Sequence, residues 1–184
     1  MLGNDIIDLH KAKAESNWKR HGYLSKVFNA EEQEEILNSD YPDLLVWLFW
    51  SMKEATYKII NRERLTRFYS PTKFSCKRNG KDCYVTFGSN IYYTNSVITE
   101  NFIHTIASTQ KKNLARIQTY YSQYKPNYVF EFNTKYAHYF IEKNANGIPY
   151  LVNKARGKSD TLSISHHGSY LAISAHLLLQ KLTR

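Results

Sequence analysis

The sequence predicts an α+β fold in which a small antiparallel sheet packs against helices. Residues 44–61 place apolar side chains at helical spacing, whereas residues 73–107 alternate between apolar and polar side chains, as strands do. Hydrophobic residues make up 42% of the 184-residue chain, which is enough apolar material to build a core. We therefore expect a single folded domain over residues 1–184.

The first predicted element is a strand over residues 2–9. Its apolar residues, including Ile6 and Ile7, surround two carboxylates, Asp5 and Asp8. A buried charge without a partner is costly, so we expect one of these carboxylates to meet a cation.

A first helix is predicted over residues 30–38. Asn29 and Glu32 have the spacing of a capping box, in which each residue binds the backbone N–H of the other. Pro42 then ends this helix and introduces the next one.

A longer helix is predicted over residues 44–61. Glu54 and Lys58 lie one turn apart on the same face, so both side chains can reach one ligand. Lys53 lies about 100° away around the helix and is a weaker candidate for the same contact. An apolar stripe on a neighbouring face is formed by Leu44, Leu48, Met52, Ala55 and Ile59.

The remaining elements are predicted mainly from alternation and from Gly and Pro punctuation. No internal sequence repeat is visible. The predicted strands are 73–77 and 83–87 as a hairpin around 78–82, then 91–98, 102–107, 128–132, 163–165 and 171–175. The other elements are a short helix over 114–124, a strand or helix over 136–143, and turns over 144–149 and 166–169.

Composition and charge indicate which partners and which cellular location fit this protein. The formal net charge of +9 favours an anionic partner, which includes nucleic acid, an anionic membrane, a polyphosphate cofactor and an acidic protein. Cys76 and Cys83 lack metal-ligand spacing, so we expect reduced thiols or a hairpin pair. Neither a signal peptide nor a transmembrane run is visible, which predicts a cytoplasmic protein that does not insert into membranes.

Asp5 and Glu54 are candidate metal ligands. Magnesium in phosphate chemistry is commonly held by one or two carboxylates together with substrate oxygens and water. Simpler interpretations remain open, because Asp5 also suits a turn or cap and Glu54 also suits a helical ion pair with Lys58.

Four motifs in this order resemble the 4′-phosphopantetheinyl transferase superfamily, and most closely its single-domain holo-acyl-carrier-protein synthase branch. The motifs are G-N-D-I at 3–6, W-S-M-K-E-A-T-Y-K at 50–58, G-I-P-Y-L at 147–151 and S-I-S-H-H-G-S-Y-L-A at 163–172. The second motif is the most specific, and residues 63–146 form an unaligned, strand-rich insertion.

The resemblance implies a fold and a reaction. The 4′-phosphopantetheine group of coenzyme A moves to a serine of an apo acyl or peptidyl carrier protein, with Mg²⁺ present, and adenosine 3′,5′-bisphosphate is released. Asp5 and Glu54 match the metal carboxylates, and Lys58 matches a catalytic lysine near the phosphates. Glu54 or a water on the metal would act as base.

The resemblance also implies a binding site for the cofactor. Ser165 and His166 match a strand end that contacts a phosphate of coenzyme A. Gly147 and Pro149 match a turn whose backbone lies along the adenine nucleotide. The carrier and its pathway stay open, as does the choice between a homotrimer and a monomer.

Some residues depart from the family pattern. Asn4 occupies a position that is usually apolar, and Ile7 stands where the duplicated branch carries another acid, which favours two protein carboxylates on the metal. For His167, a second phosphate contact stays open, but a solvent-facing turn residue is expected.

Two other functions fit the sequence less well. A basic nucleic-acid-binding module would need clustered Lys and Arg, which the chain lacks, so no nucleic-acid partner is expected. A family member without catalysis is disfavoured by Asp5, Glu54 and Lys58 together.

Overall fold

The computed structural model describes residues 1–65, 68, 70–80, 82–136, 138–154 and 157–176. It contains two antiparallel sheets and several helices, so the predicted α+β class is confirmed. Positions 81 and 137, which fall in the predicted hairpin loop and in the predicted element 136–143, lie outside the described residues. Among the helices in these ranges, none is long and apolar enough to cross a lipid bilayer.

The first sheet and its helices come from the N-terminal part of the chain. The helices are α1 (Leu9–Glu15), α2 (Tyr23–Val27), α3 (Ala30–Leu37) and α4 (Pro42–Arg64). The strands are β1 (Leu2–Asp8), β2 (Phe74–Asn79), β3 (Asp82–Phe87), β4 (Asn90–Ile98) and β5 (Phe102–Ser108), in the spatial order β1-β5-β4-β3-β2. These bounds confirm the predicted strands and helices in this region within a few residues.

Local sequence accounts for the two main helices. The Asn29–Glu32 capping box forms, with both N–H···O bonds at 2.9 Å. Pro42 occupies the first turn of α4, where its missing N–H costs nothing. The α4 side chains Met52, Ala55 and Ile59 are buried, which places the predicted stripe against the first sheet.

The second sheet has the same strand order as the first, β6-β10-β9-β8-β7. The topology therefore repeats, although no sequence repeat reveals it. Its strands are β6 (Ile117–Gln123), β7 (Tyr139–Lys143), β8 (Pro149–Asn153), β9 (Lys158–His167) and β10 (Tyr170–His176). The remaining helices are α5 (Lys111–Leu114) and α6 (Tyr128–Lys135), and a 3₁₀ turn covers Pro71–Lys73.

Two elements differ in type from the prediction. Residues 117–123 form a strand, not a helix, because their β-branched and aromatic side chains suit a sheet and pair with β10. Residues 128–135 form a helix, not a strand. Tyr128, Phe132 and Tyr136 recur every four residues and pack on the second core, whereas Phe130 is 70% exposed.

Near the C-terminus, the observed elements differ less from the predicted ones. The predicted turn 166–169 shortens to Gly168 and Ser169, because β9 continues through His167. Within 136–143, where the sequence allows a strand or a helix, Tyr139–Lys143 form the strand β7. Cys76 and Cys83 are both free thiols.

Candidate functional site

A close approach between β1 and α4 brings the first two motifs together. A Cβ atom built on Gly3 would lie 2.0 Å from the backbone oxygen of Ala55, so only glycine fits there. The crossing brings Asp5 of β1 to the face of α4 that carries Glu54 and Lys58. The glycine of the G-x-D motif thus has a steric cause.

Asp5 is buried and contacts groups from both sheets. Its Oδ1 accepts a hydrogen bond from the Ser165 hydroxyl at 3.0 Å and lies 3.7 Å from the Lys58 ammonium. Burial raises the pKa of the Asp5 carboxyl, and Lys58 and Ser165 oppose that rise.

Lys58 joins the first sheet to the second. Its Nζ donates to the backbone oxygen of Asn4 at 2.7 Å and to that of Ile164 at 3.3 Å. Burial lowers the pKa of the Lys58 ammonium, and the carboxylates of Asp5 and Glu54 oppose this effect. The ammonium is therefore held at the junction between β1 and β9.

Glu54 lacks such partners. Its carboxylate makes no hydrogen bond or ion pair within the part of the chain that the structure describes. Burial and the negative charge of Asp5 raise the pKa of Glu54 to about 7, although Lys58 opposes the rise. The Glu54 oxygens are therefore free to bind a ligand, and a cation beside them would stabilise the ionised carboxylate.

The donor set fits a magnesium ion. Asp5 and Glu54 supply hard oxygen ligands, and Lys58 balances only one of the two negative charges when both carboxyls are ionised. No group of three or more His, Cys, Asp and Glu side chains suited to a metal occurs among the described residues. Two protein carboxylates are thus the set available here.

The free edge of β1 is covered by side chains of β9. Backbone N–H groups of Asn4, Ile6 and Asp8 donate to Ser163 Oγ, Ser165 Oγ and His167 Nδ1, at 3.0, 3.1 and 2.9 Å. Donors and acceptors both recur every second residue, because alternate residues of a strand face the same side. This seam satisfies an edge that would otherwise be unpaired.

The expectation that His167 is a solvent-facing turn residue is wrong. His167 belongs to β9 and is partly buried, and its Nδ1 accepts from Asp8. The alternation S-x-S-x-H in β9 is the sequence signal that, together with the free edge of β1, marks this seam.

His166 points to the opposite side of β9 from its neighbours Ser165 and His167. Its ring stacks on Tyr124, with centroids 4.0 Å apart and planes within 9°. Burial, together with the nearby Lys58 charge, lowers the pKa of the His166 imidazole. Together with Asp5 and Glu54, His166 also lines a cavity of about 370 Å³, which we call the carboxylate cavity.

Gly147 and Pro149 line a different cavity of about 300 Å³, which we call the turn cavity. Lys58 and Ser163 line it as well. Gly147 has a φ of +73°, a conformation that favours glycine. The Asn144 side chain fixes the turn by accepting from two backbone N–H groups at 3.0 Å each. Lys58 therefore stands between the predicted nucleotide turn and the carboxylates.

Asn4 is a second connection between the sheets. Its Nδ2 donates to the backbone oxygen of Ala172 at 3.1 Å and lies 3.3 Å from His104 Nε2. Because an amide nitrogen only donates, His104 Nε2 must accept, and its Nδ1 carries the proton toward the Tyr121 hydroxyl at 2.9 Å. His104 is thus held neutral.

Lys53 has a structural partner that sequence reasoning missed. Its Nζ lies 2.6 Å from Glu32 Oε2, and both side chains are at most 2% exposed. Lys53 also donates to the backbone oxygens of Val27 and Pro71. The capping-box Glu32 therefore balances the lysine that points away from Glu54.

Comparison with known families adds the deciding observation. A model of the 4′-phosphopantetheinyl transferase superfamily matches residues 1–107, more than half of the chain. The chain belongs to this superfamily. Its members transfer phosphopantetheinyl groups from coenzyme A to carrier proteins, so the protein is a phosphopantetheinyl transferase-family enzyme. No curated protein matches the chain.

The superfamily match covers only some of the predicted site residues. Asp5, Glu54 and Lys58 lie inside the matched region, whereas the C-terminal residues lie outside it. Those residues are Gly147, Pro149, Ser165 and His166. In this transferase, the tertiary structure brings the second group to the first.

Proposed function

We propose that the protein transfers the 4′-phosphopantetheine group of coenzyme A to a serine of an apo acyl or peptidyl carrier protein, in the manner of the holo-acyl-carrier-protein synthase branch. Adenosine 3′,5′-bisphosphate is released. The observation that supports this most strongly is the meeting of Asp5, Glu54 and Lys58 at the junction with β9. The proposed setting is the cytoplasm.

Charge placement supports the proposed chemistry. Phosphoryl transfer spreads negative charge over phosphate oxygens, so an enzyme accelerates it mainly by positioning and electrostatics. The Lys58 ammonium is fixed by two backbone carbonyls and is directed to the phosphates in this proposal. Asp5 and Glu54 would hold Mg²⁺, which neutralises pyrophosphate charge when bound.

The serine proton needs an acceptor when the new O–P bond forms and the bond to the adenosine bisphosphate breaks. Glu54 suits this role, because its carboxylate has no hydrogen-bond or ion-pair partner among the described residues and lines the carboxylate cavity. The carboxylate cavity beside Glu54 provides space for the incoming serine.

One chain supplies groups from both sheets to this site. Lys58 and Asp5 come with the first sheet, and Ser165 and His166 come with the second. We therefore propose that a monomer is sufficient for transfer and that the site needs no residues from a homotrimer. A size measurement by light scattering, paired with activity at the same concentration, tests this.

The test of the function is intact mass spectrometry. The protein is incubated with coenzyme A, Mg²⁺ and apo carriers from fatty-acid, polyketide and peptide-synthetase systems. We expect at least one carrier to gain one phosphopantetheine group, and we expect chelation of the metal to prevent the gain. A folded protein that modifies none of these carriers would contradict the proposal.

A further inference from the structure

The turn cavity has an unusual electrostatic character. Besides Lys58 and the glycine turn, its lining includes Arg62, Asn61 and Asn146. The described residues that line it include two cations and two amides but no carboxylate. Such a cavity is suited to an anion.

Arg62 lies one turn after Lys58 on α4, so the two cations share a face. Its Nη2 donates to the backbone oxygen of Leu162 at 2.6 Å. Its Nε and Nη1 are buried and have no hydrogen-bond partner within the described ranges. Buried donors of a charged group are costly to leave unpaired, so the native complex should supply an acceptor.

The two cations differ in whether their N–H donors already have hydrogen-bond partners. Lys58 is bound to Asn4 and Ile164 through backbone oxygens, whereas Arg62 keeps two nitrogens without partners. A planar guanidinium matches the oxygens of a phosphate better than those of a neutral group. A phosphoryl group is thus the acceptor whose chemistry fits this position.

We propose that Arg62 binds a phosphoryl group at the nucleotide end of coenzyme A in the turn cavity, and this rests on the proposed function. Coenzyme A carries phosphoryl groups of two kinds, the 3′-phosphate and the pyrophosphate. Arg62 lies outside the four motifs that carry the family resemblance. It is therefore a binding residue in addition to them.

Kinetics with two donors test the proposal. Arg62→Gln and Arg62→Lys are compared with coenzyme A and with dephospho-coenzyme A, which lacks the 3′-phosphate. We expect Arg62→Gln to raise the KM for coenzyme A about tenfold or more, with kcat changed less than about threefold, and Arg62→Lys to recover part of the loss. Arg64→Gln is the matched control, because Arg64 is an exposed arginine on the same helix.

The two donors separate the two phosphoryl groups. If the 3′-phosphate is the partner, Arg62→Gln leaves the KM for dephospho-coenzyme A unchanged. If the pyrophosphate is the partner, the KM rises for both donors by a similar factor. An Arg62→Gln protein with wild-type KM for both donors overturns the proposal.

A binding measurement separates this inference from the proposed function. Calorimetry without carrier protein measures coenzyme A binding to wild type, Arg62→Gln and Arg62→Lys, with thermal melting as the check on folding. Wild-type protein that transfers nothing and binds nothing refutes the proposed function itself. Wild-type protein that transfers normally, together with Arg62 variants that bind coenzyme A equally well, refutes only the role of Arg62.

Discussion

Asp5 and Ser165 lie at opposite ends of the chain, and their side chains meet in a hydrogen bond of 3.0 Å. The same Ser165 hydroxyl accepts from the backbone N–H of Ile6 at 3.1 Å. One hydroxyl thus fixes both the carboxylate and the strand that carries it. The geometry of the candidate metal ligand therefore depends on a residue outside the region that matches the superfamily.

Replacing Ser165 by alanine should loosen this contact. We expect Ser165→Ala to reduce the free energy of unfolding by about 1–3 kcal/mol, because the buried Ile6 N–H loses its acceptor. The pKa of Asp5 should rise further, because a hydrogen bond to its charged form is lost. Urea denaturation measures the first effect. Ser159→Ala, at an exposed serine of the same strand, is the control, and equal losses in the two variants would refute the contact.

Glu54→Gln should separate activity from stability. We expect phosphopantetheine transfer to be abolished while the fold is retained. The exposed Glu63 on the same helix provides the control Glu63→Gln, which should keep its activity. Full activity in Glu54→Gln would exclude Glu54 as a metal ligand or base.

The pH dependence of the free energy of unfolding tests whether the pKa of Glu54 is raised. Its folded pKa of about 7 lies above the ordinary value of 4.5, so the folded state binds more protons between these values. Wild-type stability in metal-free buffer should therefore fall relative to Glu54→Gln as pH rises from about 4.5 to 7, and then level off. Parallel stability curves for the two proteins would show that Glu54 is not perturbed.

His104 should make the protein sensitive to acid. Burial and the Lys58 charge lower its pKa from 6.5 to about 4, and its bonds to Asn4 and Tyr121 require the neutral ring. The unfolded state therefore binds more protons between these values, and stability falls as pH decreases. Relative to His104→Asn, wild type should lose about 3 kcal/mol between pH 7 and 4.

Denaturant titrations at several pH values measure this loss, and the difference between the two proteins cancels groups that titrate in both. His21→Asn, at an exposed histidine, is the matched control for the substitution. A constant difference between wild type and His104→Asn from pH 7 to 4 would refute the neutral assignment.

The Lys53–Glu32 pair should matter for stability and not for substrate contact. Lys53→Met leaves the Glu32 carboxylate buried without its cation, which costs about 3–5 kcal/mol. Adding Glu32→Gln should recover part of that loss. The exposed Lys77–Glu31 pair is the comparison, and Lys77→Met should cost less than about 1 kcal/mol in the same denaturation experiment.

Sequence patterns predicted the elements that local chemistry decides. The capping box at Asn29 and the stripe on α4 gave the right helices, and the Glu54–Lys58 spacing put both side chains on one face. Patterns failed over residues 117–135, where aromatic residues suit both strand and helix. In this stretch, the surface against which a segment packs decides its secondary structure. The segment with Tyr120 pairs with β10 as a strand, whereas Phe132 packs on the second core from a helix.

The sequence alone determined the α+β class, the family resemblance and the residue types of the candidate site. Tertiary structure decided which of these residues meet. Asp5 lies beside Lys58 because glycine at position 3 lets β1 approach α4. Asp5 reaches Ser165 because alternate side chains of β9 bind the free edge of β1. The same packing turns Lys53 toward Glu32 and sets Arg62 beside the glycine turn. Distances between residues more than a hundred positions apart depend on how the sheets pack, and local periodicity carries no information about that.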